Sequence, residues 1–131
     1  MKEAIWLPWI GLPQLDGADP RAGVGGCCFR MAQAVREELG LPWPAERMSG
    51  WYDRAEQGDW AGLREDWFCS TVICTPLPGT VTLLDREPPP GAFGIAVLVD
   101  DRTALTALHG RGVVAIPRSL WAPWEWREPL P

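Results

Sequence analysis

A chain of 131 residues fits one domain, and a chain of that length can bury roughly two-thirds of its unfolded surface. Its 14 glycines and 14 prolines far exceed the average combined share of ~12%, so the chain turns often; nine tryptophans, each able to bury ~150–250 Å², supply the apolar surface to hold many short elements together. Twelve basic against 17 acidic residues give a net charge of −5, and no stripe of Lys or Arg is present, which argues against nucleic acid or an anionic membrane as a partner.

Near the start, the apolar stretch 4–9 is cut by Pro8 and no small-residue cleavage site follows, so no signal peptide is expected. No run approaches the ~18–20 apolar residues that a membrane span needs. A soluble, cytoplasmic product is therefore predicted, with Cys27, Cys28, Cys69 and Cys74 as thiols. Residues 16–26 hold four glycines and Pro20 and read as a loop. The spacing of Met31, Ala32, Val35 and Leu39 predicts a helix over 28–39, stopped by Gly40. Residues 51–67, with Trp51, Trp60 and Trp67 among polar residues, read as one or two short helices. After Trp67 the period becomes that of strands: 71–74 and 80–84, a proline-rich connection over 85–91, then 93–99 and 103–108 about an Asp100-Asp101-Arg102 tip, and 113–116. One helix followed by antiparallel strands is an α+β pattern in a single domain, 1–131.

The predicted helix begins at the paired cysteines. Orphan N–H groups and the positive end of the helix dipole favour thiolate there, so Cys28 is a candidate nucleophile; a small buried hydrophobe is the bland alternative. A thiol hydrolase also needs a histidine, and the chain has one, His109, at a predicted turn. The cysteines and His109 lack the C-x₂-C and H-x₃-H spacings of structural zinc, so neither metal nor cofactor is expected. Most tryptophans suit a core, but Trp121, Trp124 and Trp126 with Pro123, Pro129 and Pro131 form a stiff aromatic tail that could be an interface.

Six segments in order resemble the NlpC-type, papain-like cysteine peptidases, and within them the stand-alone form found as phage tail-assembly proteins. Trp9-Ile10-Gly11-Leu12-Pro13 with Gly17-Ala18-Asp19-Pro20 is similar to the family's leading segment. Cys27-Cys28-Phe29-Arg30-Met31-Ala32 with its Glu38-Leu39-Gly40-Leu41-Pro42 exit is similar to the nucleophile helix, and 78–84 to a Pro-Gly-Asp-Val-Val-Leu-Phe strand. Ala92-Phe93-Gly94-Ile95, Leu105-Thr106-Ala107 and 110–114 complete the series. The resemblance implies an N-terminal Cys-bearing helix packed on an antiparallel sheet, with Cys28, or Cys27 if the register shifts, at the nucleophile position. It also implies Ala92 in place of the base histidine and Thr106 in place of the orienting residue, leaving His109 as a substitute base only if the strand is rewired. Arg30 stands where the family keeps glycine. Two functions follow as expectations. One is a non-catalytic component of a phage-type tail or tail tip, made in the host cytoplasm and contacting other virion proteins. The other is an active peptidoglycan endopeptidase using Cys28.

Overall fold

The computed structural model describes residues 4–44, 54, 57–86, 92–108 and 110–130. The chain is α+β. Helix α1 (Cys28–Glu38) is followed by α2 (Trp60–Ser70), then strands β1 (Thr71–Ile73), β2 (Val81–Arg86), β3 (Ala92–Leu98), β4 (Thr103–Leu108) and β5 (Gly112–Pro117). A short helix α3 (Arg118–Trp121) and strand β6 (Arg127–Pro129) close it. The six strands form one antiparallel sheet in the order β1-β6-β2-β3-β4-β5.

Helix α1 starts and stops for reasons visible in its sequence. The Cys27 sulfur caps it by accepting the Arg30 N–H at 3.4 Å. At the other end Gly40 takes φ +72, which lets Gly40 N–H reach the Glu37 carbonyl and Leu41 N–H reach that of Arg36. Both bonds of a Schellman stop are thus made. Met31, Ala32, Ala34 and Val35 bury one face of the helix against β3 and β4.

Strand alternation builds two cores. Ile95, Val97 and Val99 join Leu105, Val113, Trp67 and α1 on one side of the sheet. Ala96 and Leu98 join Ala104, Ile116, Trp121 and Trp126 on the other.

Several expectations need adjusting. The predicted segments 80–84, 93–99 and 103–108 do lie in one sheet packed against α1, but β2 runs on to Arg86, into what reads as a connection. The loop 16–26 contains a 3₁₀ turn, Pro20–Ala22, capped by Asp19. Residues 60–70 make one helix, continuing past the 51–67 stretch in which one or two were expected; 51–53 and 55–56 lie outside the described residues. Strand β6 was not expected, because its three residues include a proline and a charged pair.

The N-terminal segment straps the β5 edge. Gly11 N–H donates to the Val113 carbonyl at 2.9 Å, and Val113 N–H donates to that of Leu12 at 2.8 Å. A Cβ at Gly112 would collide with the Leu12 carbonyl, so glycine is required where the strap crosses. Among the described residues, no helix is long and apolar enough to cross a membrane.

Candidate functional site around Cys28

Cys28 opens α1 and packs on the helix-side core, half-buried, while its neighbour Cys27 is buried as the cap. The structure thereby separates the two cysteines by role: Cys27 turns its sulfur back onto the helix, and Cys28 turns to the sheet.

What Cys28 meets there is backbone. Burial pushes its thiol up to about 12, opposed by a hydrogen bond from the Ile95 amide and reinforced by Cys27. The reason that amide is available lies in the sheet. Strands β2 and β3 pair through six residues, but among the described residues β3 and β4 pair only at Val97↔Leu105 and Leu98↔Ala104. Leu98 exchanges hydrogen bonds with Thr80 and Gly79 on the β2 side, so alternation turns the N–H and carbonyl of Ile95 towards β4, beyond the end of that ladder. The Thr106 hydroxyl donates to the Ile95 carbonyl at 2.8 Å, and the Ile95 N–H lies beside the Cys28 thiol, where it partly offsets the effect of burial.

Cys28 and Thr106 are thus brought to one residue, and Ile95 is the partner that sequence reading missed. A backbone group leaves no mark in side-chain chemistry, so only the interrupted ladder could have pointed to it. Ala92 opens β3, paired with Arg86, three residues from Ile95. His109 lies outside the described residues. Arg30, expected to crowd the nucleophile, is exposed and donates along the helix to Gln33 Oε1 at 3.0 Å.

The aromatic tail folds inward. Trp121 and Trp126 are each 2% exposed and meet edge to face, centroids 5.2 Å apart, so their rings fill the second core instead of forming an outward docking surface. Trp124 alone of the three stays half-buried, at the margin of that core. None of the four cysteines is in a disulfide, and no cluster of three or more potential metal ligands occurs among the described residues.

No protein-family model, no curated protein and no solved structure matches this chain.

Proposed function

We propose that this chain is a degenerate, non-catalytic NlpC-like domain that works by contact, as a structural or assembly component of a bacteriophage-type tail or tail tip. The observation that carries the non-catalytic half is the state of Cys28. An attacking thiol needs a lowered pKa or an adjacent base. Here Cys28 packs against the helix-side core, and burial there pushes its thiol up to about 12. The helix dipole acting on α1's first turn does not offset that desolvation.

Support for the papain-like assignment is the arrangement itself: a cysteine opening a helix whose apolar face packs on an antiparallel sheet, with a threonine hydroxyl from β4 meeting the same residue as the thiol. Support for a contact role comes from half-exposed apolar side chains such as Ile5, Leu7, Ile73 and Leu77. The test pairs two measurements. Purified wild type and Cys28→Ala should both leave peptidoglycan fragments uncut, and quantitative mass spectrometry of purified tail particles should find the chain at fixed stoichiometry. Turnover that disappears in Cys28→Ala would move the protein to the alternative reading, an active thiol hydrolase.

A further inference from the structure

A groove of about 260 Å³ lies between the N-terminal segment, the last turn of α1 and the end of β3, lined chiefly by Trp6, Trp9, Val35, Leu39 and Val99, with Glu38 at its polar side. Ile5 and Leu39 at its edge are 49% and 46% exposed. The space is smaller than the ~300–1,000 Å³ of small-molecule sites and suits one bulky side chain, the size of an interface anchor.

The charge at this groove is specific in sign. It sits at the C-terminal end of an eleven-residue helix, where the aligned peptide dipoles make a negative pole. Cations belong there, yet the chain places Glu37 and Glu38. Glu37 is compensated, since Arg21 Nη2 reaches its carboxylate at 2.9 Å. Arg36 is turned away into the core, onto Pro42, Gly79 and Glu128. Glu38 is exposed and has no cationic partner among the described residues. Among the described residues, Glu38 thus adds an uncompensated negative charge to the negative helix end beside the groove.

We infer that this groove is a docking site for a segment of another protein that presents one large apolar side chain flanked by Lys or Arg. The apolar side chain fills the space between Trp6, Trp9, Val35 and Val99, and the cation meets Glu38 and the negative helix end. An acidic segment is repelled by both. The inference rests on the reading of the chain as a contact component, and it names the surface and the partner's chemistry.

The probes are three blocked pentapeptides, Gly-Lys-Trp-Lys-Gly, Gly-Glu-Trp-Glu-Gly and Gly-Lys-Gly-Lys-Gly, titrated into the full ¹⁵N-labelled chain. Amide shifts at Val35, Leu39 and Val99 should move with the first probe, about five-fold more tightly than with the second, the order an exposed carboxylate supplies. The third should leave them unmoved. Glu38→Lys, on an exposed position, should reverse the preference while the thermal melt holds, and Leu39→Asp should abolish shifts with the first probe. Equal binding of the Lys and Glu probes, or shifts located away from the groove, would overturn the inference. Such a failure is separate from failure of the contact reading, which is decided by Cys28-dependent turnover and by the presence of the chain in tail particles.

Discussion

At Cys28 a helix N-terminus pulls the thiol towards ionisation and burial pushes it away, and burial wins because desolvation acts on the whole charge while the dipole offers a fraction of one. The consequence is a pH dependence with a definite sign. A thiol that ionises near 9.0 in the unfolded chain and near 12 in the folded one holds its proton more tightly when native. Its contribution is therefore complete below pH 9 and is lost as pH rises from 9 towards 12, on the order of a few kcal/mol at ~1.4 kcal/mol per pKa unit. Urea unfolding at pH 8 and pH 10.5 should show a wild-type loss that Cys28→Ser reduces. Iodoacetamide at pH 8, followed by peptide mapping, should label exposed Cys69 well before Cys28. Faster labelling of Cys28 would mean an activated thiol.

Helix α1 is tied to the rest of the fold by Arg36, which is 1% exposed. Its guanidinium donates to the Pro42 carbonyl at 2.9 Å, the Gly79 carbonyl at 2.8 Å and Glu128 Oε1 at 2.8 Å, joining the helix exit, the turn before β2 and strand β6. The two carbonyls and the carboxylate do not count equally. Glu128 is 39% exposed, so water replaces much of what it gives, and Glu128→Gln should cost under ~1 kcal/mol. Arg36→Met keeps the apolar stem but deprives both carbonyls of their donor, at ~1–3 kcal/mol for each buried group left unpaired, for a total of about 3 kcal/mol. Urea midpoints of the two variants test this; equal losses would show that the ion pair dominates.

Across the whole molecule the sheet has two ends that are treated differently. The β5 edge is strapped by Gly11 and Leu12, and the same N-terminal segment buries Trp9 to 6% exposure against α1. Removing residues 1–12 should therefore act twice. Loss of the Trp9 ring should cost about 3–5 kcal/mol, and the uncovered backbone of β5 becomes a template for another strand. Sedimentation velocity should show the truncated chain self-associating at concentrations where the full chain is monodisperse. A truncated chain of unchanged size and melting temperature would show that the strap is dispensable.

Local signals were enough for α1 and for the β2–β3–β4 arrangement. The 3.6-residue spacing of Met31, Ala32 and Val35, the glycine at position 40 and the continuous apolar run from Phe93 to Val99 each specify structure over a few residues. The helix start pointed to Cys28, and the family resemblance pointed to Thr106. Tertiary structure alone decided what those residues do. Where β3 parts from β4 fixes which backbone groups need a partner, and that made Ile95 the meeting point of the thiol and the hydroxyl. The tryptophan tail went the same way. Trp121, Trp124 and Trp126 read from sequence as a stiff aromatic tail suited to an interface or to a core, because their spacing carries no information about the apolar face of Ala96, Leu98 and Ala104 left bare on the far side of the sheet. Burying that face calls for large rings, and Trp121 and Trp126 are the rings within reach of it.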